Sequence, residues 1–318
     1  MTTPKPFASS EKTFTSYTKE QGKTYAQARP TYNPKLYELV LEHHNTTGGL
    51  FDTLLDVGCG PGITSRALAP LFAHVIGLDP SEGMIAEARS LSGKTATGES
   101  IRYEISTAED LGWHLDQPVE DGSVDLITAS TAAPWFDMAA FWPRAARVLK
   151  PGGTVAIWGS GQIGIHHSVP NSEALNAVLM DFEEEDLLPF FEPGNWLTRN
   201  LYVGLPLPWT LTTPVVEFDE ESFLRMEWGT GERDSEEFFT GGALTMNLDI
   251  MEKIIGTASP VQRWREANPE TNGTEKDVVR RVRREIERLM GEVGVEKGKE
   301  IIKGSPKGVL LIVKKKKA

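Results

Sequence analysis

A single cysteine, Cys59, stands in the whole chain, so no intramolecular disulfide can form and a disulfide-stapled secreted scaffold is excluded. No apolar run comes near the ~20 residues that a membrane-spanning helix needs. The polar opening MTTPKPFASSEK also lacks the apolar stretch of a signal peptide. Positive charge is in deficit: 33 Lys and Arg face 45 Asp and Glu, a net charge of −12. Phosphate neutralisation supplies much of the affinity of nucleic-acid proteins, so no nucleic-acid partner is expected. The run Lys314-Lys315-Lys316-Lys317 reads as a solvated chain end. A cytoplasmic protein is expected, with no membrane partner and no metal; the oligomeric state is left open.

What is present is ordinary globular composition, 39% hydrophobic and 25% charged over 318 residues. That length suits one large domain or a domain with an insertion. After a polar, turn-rich start, YNPKLYELVLEHH reads as an amphipathic helix. From Phe51 strand and helix patterns alternate. FDTLLDV, AHVIGLD, SIRYEIS, VDLITAS and GTVAIWG read as strands. Between them lie the helical stretches GITSRALAPLF, SEGMIAEARS capped by Ser81, and MAAFWPRAARVLK capped by Asp137. Such alternation implies right-handed crossovers, hence a doubly wound, mainly parallel sheet covered on both faces, an α/β fold. VVRRVRREIERLM shows one apolar stripe, and GVLLIVKK reads as a last strand pairing with VVEF. We therefore divide the chain into a covering segment (1–50), a core (51–159), a cap over the sheet's carboxyl edge (160–260), and a helix and strand that complete the core (261–318).

The strongest chemical signal is LLDVGCGPGIT, which puts Asp56 at a strand end, glycines at 58, 60 and 62, and then a helix start. Glycines there let the backbone turn and approach a ligand that a Cβ would obstruct. The dinucleotide fingerprint is G-x-G-x-x-G, whereas this spacing is G-x-G-x-G with an acid two positions ahead. Asp79, closing the next strand, is placed to accept from ribose hydroxyls.

This pattern closely resembles the first motif of class I S-adenosylmethionine-dependent methyltransferases. The resemblance implies a seven-stranded Rossmann-like sheet, with S-adenosylmethionine as cofactor. It assigns Asp56 to the methionine end, Gly58, Gly60 and Gly62 to the cofactor lining, and Thr107, Ala108 and Glu109 to the adenine, with Asp110 an alternative polar contact. AAPWFDMAAFWPRAARVLKPGGTVAIWG and YAQARPTYNPKLYELV resemble the trans-aconitate methyltransferase family of fungi. From about Tyr25 to Gly159 the likeness implies a small-molecule O-methyltransferase acting on a carboxylic acid. Trp135 and Phe136 would wall the substrate. Arg29 and Arg199 would be its cationic contacts, though Arg29 could instead meet the cofactor carboxylate or a structural partner. Two positions depart from the family: Pro134 stands at a motif histidine and Asn195 at an arginine.

An ionised carboxylate needs no general base, whereas a hydroxyl usually does. Methylation of a hydroxyl on a specialised metabolite would use His166 or His167, which follow the fifth strand. A third reading is a catalytically silent S-adenosylmethionine-binding regulator. His43, His44, His74 and His114 read as surface or packing residues. Trp196, Tyr202, Trp209 and Trp228 either enclose the substrate or form the cap's own core.

Overall fold

The computed structural model describes residues 17–29, 31–231, 234, 237–239 and 244–317, so most of the opening stretch read above lies outside the described residues. Helices α1 (Lys19–Ala28) and α2 (Pro34–Thr46) precede the sheet. Thr18 starts α1 with a reciprocal cap: its hydroxyl accepts from the Gln21 N–H and the Gln21 side chain accepts from the Thr18 N–H. There follow β1 (Thr53–Val57), α3 (Ile63–Leu68), β2 (His74–Asp79), α4 (Glu82–Leu91), β3 (Arg102–Ile105), β4 (Val124–Ser130), α5 (Met138–Val148) and β5 (Leu149–Ile165). Ser81 and Asp137 cap α4 and α5 as expected. Beyond β5 come α6 (Ser172–Asp181), α7 (Pro193–Arg199), β6 (Phe218–Trp228), β7 (Thr245–Asn247), α8 (Leu248–Gly256), α9 (Ser259–Ala267), α10 (Val278–Glu292) and β8 (Ile301–Lys315).

The main path through the sheet runs β3-β2-β1-β4-β5-β8-β6, with β7 added to the outer part of β8. Neighbours among β1–β5 pair in parallel, and β8 lies antiparallel between β5 and β6. Seven strands on the path meet the expectation, and the short β7 makes an eighth. The expected pairing of the last strand with VVEF holds only at its final residue, Phe218, where β6 begins; β8 also pairs with β5 along much of its length. Alternate residues face opposite sides. Val155, Ile157, Val309 and Leu311 join one core cluster with Phe141 and Trp142, whereas Ala156, Trp158, Leu310 and Ile312 join another with Leu54 and Phe72. Each fully buried large side chain contributes roughly 1.5–3 kcal/mol.

Two boundaries drawn from the sequence need correction. β6 falls within 160–260 yet belongs to the main sheet, and it runs on from the end of VVEF to Trp228 along β8, a stretch whose weak alternation hid it. The α10 stripe is buried at Val278, Val279, Val282, Ile286, Leu289 and Met290 as predicted. It packs on α6, α8 and α9 in a third cluster with Ile165, Leu175 and Ile302, and so belongs with the cap. Among the described residues no helix is long and apolar enough to cross a membrane.

Candidate functional site

The carboxyl ends of β1, β2 and β4 and the loop after β3 converge on one cavity of about 350 Å³. After β1 the chain takes positive φ at Gly58, Gly60 and Gly62, the last of which caps α3. Asp79 fixes the turn, its carboxylate accepting from the Gly60 N–H at 2.9 Å and from the Ser81 N–H at 2.9 Å. Burial pushes this carboxyl up to about 6, against the opposing pull of those two N–H groups. Gly58, Gly60, Asp79, Thr107, Ala108, Glu109, Trp135 and Phe136 all line this cavity, as does Arg29. Glu109 also accepts from the Asp137 N–H at 2.8 Å, tying the loop after β3 to the start of α5.

Two members of the glycine motif lie elsewhere. Asp56 is fully buried, accepts from Ser65 Oγ at 2.6 Å and Thr128 Oγ1 at 2.8 Å, and does not line the cavity. Burial pushes its carboxyl up to about 6 as well. Its hydrogen bonds brace the end of β1. A Cβ on Gly62 would meet Tyr103 Oη at 2.3 Å, so this glycine serves packing behind the turn.

A second cavity of about 320 Å³ opens beside the first. Tyr25, Arg29, Gly58, Gly60, Ser130, Thr131, Ser160 and Gly161 are among the residues that line both. The second cavity is otherwise largely apolar, walled by residues such as Ile163, Phe182, Leu187, Phe239, Met251 and Ile302. At the junction Thr131 holds φ +59, a strained conformation for a non-glycine residue. Its Oγ1 lies 2.7 Å from Tyr32 Oη, which also accepts from Ser130 Oγ at 2.9 Å. Arg29 stacks over Tyr25 at 4.6 Å, and its buried Nε has no hydrogen-bond partner among the described residues.

The other predicted substrate residues are not there. Arg199 is paired with Glu183 at 2.9 Å and Glu184 at 3.6 Å and lines neither cavity. His166 and His167 stack on each other with ring centres 4.1 Å apart, His166 bonded to Ser168, and neither lines a cavity. They sit past the sheet edge because β5 runs on to Ile165, several residues longer than GTVAIWG suggests. Tyr202 and Trp228 are buried packing residues, and neither Trp196 nor Trp209 lines a cavity. Asn195 does reach the first cavity, held by Arg263 and Ser259. Sequence reasoning missed Tyr32, Thr131, Gln162 and Glu183; the tyrosine of the ARPTY segment was the one local hint.

Residues 55–157 match the family described as a methyltransferase domain. This stretch is a methyltransferase domain. A protein of Dictyostelium discoideum named as a methyltransferase is 37% identical over 143 residues, 45% of this chain and 48% of that protein. Methyltransferase cfoB of Aspergillus candidus is 34% identical over 150 residues, covering 47% and 45% respectively. The chain thus aligns over about half the length of these curated relatives. A solved structure described as a type II methyltransferase from Anaeromyxobacter dehalogenans superposes with TM-score 0.56 over 91% of this chain and 97% of that one. At 21% identity this match shows the fold.

The cofactor of the methyltransferase domain is S-adenosylmethionine. The first cavity fits it on three counts. A Cβ on Gly60 would meet no protein atom within 4 Å, so the space it would fill is open cavity. Asp79 offers a carboxylate at the end of β2, and residues 107–109 close the far wall of the domain's cavity.

Proposed function

We propose that the chain transfers the methyl group of S-adenosylmethionine to a carboxylate oxygen of a small, largely apolar acid, held in the second cavity of a cytoplasmic enzyme. S-adenosylmethionine supplies an electrophilic methyl group, so the protein's task is alignment and exclusion of water. Asp79, Gly58 and Gly60 would hold the cofactor, with residues 107–109 around its base and Asp56 bracing the turn from behind. Trp135 and Phe136 close the cavity on the cap side, and the Tyr32–Ser130–Thr131 cluster stiffens the junction.

The observation that carries the acceptor is Arg29, the one cationic side chain among the described residues lining the second cavity. Its Nε–H is buried without an acceptor at the junction, a costly state that an anionic ligand relieves. The residues shared by both cavities include neither an imidazole nor a carboxylate. An acceptor already ionised at neutral pH therefore suits the junction better than a weakly acidic hydroxyl. A tricarboxylate such as trans-aconitate suits it poorly, because a single guanidinium faces an otherwise largely apolar cavity and Arg199 is engaged by Glu183.

Methyl transfer is tested by mass spectrometry with a panel of aromatic and aliphatic monocarboxylic acids, phenols and trans-aconitate. Ester products from the apolar acids are expected. Arg29→Met should raise the acceptor KM at least ~10-fold, the value of one charge-assisted hydrogen bond, while cofactor affinity stays within about twofold. Should cofactor affinity collapse instead, Arg29 serves the cofactor's own carboxylate and the acid reading loses its cation. Phenolic ethers alone would overturn the carboxylate acceptor, and no product with the cofactor bound would favour a silent binder.

A further inference from the structure

In the wall of the acceptor cavity a polar patch interrupts the apolar surface. Glu183 is the one carboxylate among the described residues lining that cavity, and it stands between Phe182 and Leu187, which line it too. The three belong to a π-helical turn, Phe182–Leu187, that continues α6. Wide turns of this kind are uncommon and concentrate at functional sites.

A carboxylate placed in such a wall must be compensated. Glu183 Oε1 lies 2.9 Å from Arg199 Nε in an ion pair and accepts from the Gln162 amide NH2 at 3.2 Å. Donation by the amide nitrogen orients the Gln162 group and leaves its own carbonyl oxygen as an acceptor. Neither Glu183 Oε2 nor Gln162 Oε1 takes a hydrogen bond from the described residues. Each of these two cavity-lining residues, joined to the other by that hydrogen bond, therefore keeps an acceptor oxygen with no donor from the described residues. A guanidinium, shared with Glu184, already faces this carboxylate, so the donor argued for here is a neutral one.

We propose that Glu183 and Gln162 form a specificity subsite for a hydroxyl group on the acceptor molecule. The inference rests on the reading of the second cavity as the acceptor cavity. The hydroxyl is not the oxygen that is methylated, since neither Glu183 nor Gln162 lines the cofactor cavity, whereas Arg29 does. The acceptor class is thereby narrowed to hydroxylated, largely apolar acids. Glu183 and Gln162 are positioning residues, not groups at the reacting atoms.

The test compares matched probes: cinnamate with para-hydroxycinnamate, and naphthoate with a ring-hydroxylated naphthoate. Binding to the full chain loaded with S-adenosylhomocysteine is followed by calorimetry, and methyl transfer is followed separately. The wild type should bind at least one hydroxylated member about 10- to 100-fold more tightly than its partner, the range for a hydrogen bond to a charged group. Glu183→Leu combined with Arg199→Leu, which removes both charges together, should abolish or reverse that preference. Glu183→Gln, which keeps a neutral acceptor, should retain part of it. Thermal unfolding of each variant guards against a folding defect. No hydroxyl preference in the wild type, or a preference that survives the double substitution, overturns the subsite. If instead no acid is methylated while the cofactor still binds, the acid reading of the acceptor has failed. Failure of every acid to bind sinks both.

Discussion

Three glycines of one turn should fail in three different ways when each is given a methyl group. Gly60 has φ +54, so alanine there adopts a left-handed conformation costing ~1–2 kcal/mol. Loss of unfolded-chain entropy returns ~0.4–1 kcal/mol, leaving a net cost of about 1 kcal/mol, or roughly 2 °C in Tm for a chain of this size. The new Cβ touches no protein atom within 4 Å and projects where the proposed cofactor site lies, in the first cavity. Gly60→Ala should therefore stay folded and lose cofactor affinity by ~10-fold or more, the consequence of overpacking by about 1.4 kcal/mol. Gly62 is the opposite case: its Cβ would lie 2.3 Å from Tyr103 Oη and 2.9 Å from Arg66 Nη1, behind the turn. Backbone strain plus overpacking costs ~3 kcal/mol, about 5 °C, with the folded fraction still binding. Gly58→Ala meets the Ala132 Cβ at 2.4 Å in the cavity wall itself and should lose both properties. The assay is calorimetric titration with S-adenosylhomocysteine beside thermal unfolding of each variant. Wild-type affinity in Gly60→Ala, or lost binding with unchanged stability in Gly62→Ala, would refute the assignment of these positions.

Other consequences can be measured directly. The Asp79 carboxyl is raised from 3.8 to about 6 by burial. Its stabilising contribution is therefore full below the free-chain value and lost as pH rises through about 6. The ribose contact proposed for Asp79 needs the ionised form, so S-adenosylhomocysteine affinity should weaken as pH falls through about 6; Asp79→Ala should cut affinity ~10-fold or more and remove that dependence. Lys314 is buried with its ammonium donating to Thr154 Oγ1 and the Gly152 carbonyl, and burial lowers its pKa from 10.5 to about 8. Between those values the unfolded chain holds more protons, so stability should rise with pH, and Lys314→Met should flatten that rise in urea titrations. Asp277 caps α10 through the Val279 N–H and takes Arg265 in a two-pronged contact at 2.8 and 3.1 Å. Its replacement by alanine should cost about 3 kcal/mol in chemical denaturation, from the lost cap and the stranded guanidinium.

The sequence made the core legible because its signals are local. Ser81 and Asp137 cap helices within their own turns, the α10 stripe repeats with helical period, and Asp79 follows the glycine turn by a fixed interval. The second cavity was not legible, for a physical reason. Ile163, Phe182, Met251 and Ile302 come from four separate elements, and each alone looks like ordinary core. Arg199 looked available because nothing local announces Glu183, which reaches it only through the π-helical turn. Asp56 shows the limit of a motif: the pattern located the turn, but Ser65 and Thr128 decide where the carboxylate spends its lone pairs.

Beyond Ser160, β5 and β8 carry on as an arm, Ile163 opposite Pro306 and Ile165 opposite Gly304, with β7 joining β8 beyond them, and residues of this arm wall the second cavity. The same strands therefore serve as keel and as socket. A change of acceptor made by altering the arm would be felt throughout the fold, since Ile163 and Pro306 lie on the same two strands that pair Ile157 with Leu311 in the middle of the sheet. The helical walls carry no such obligation: Leu179 on α6, Ile254 on α8 and Val261 on α9 face the cavity from segments outside the ladder. Divergence in acceptor range should accordingly be written in these helices, with the arm held nearly fixed.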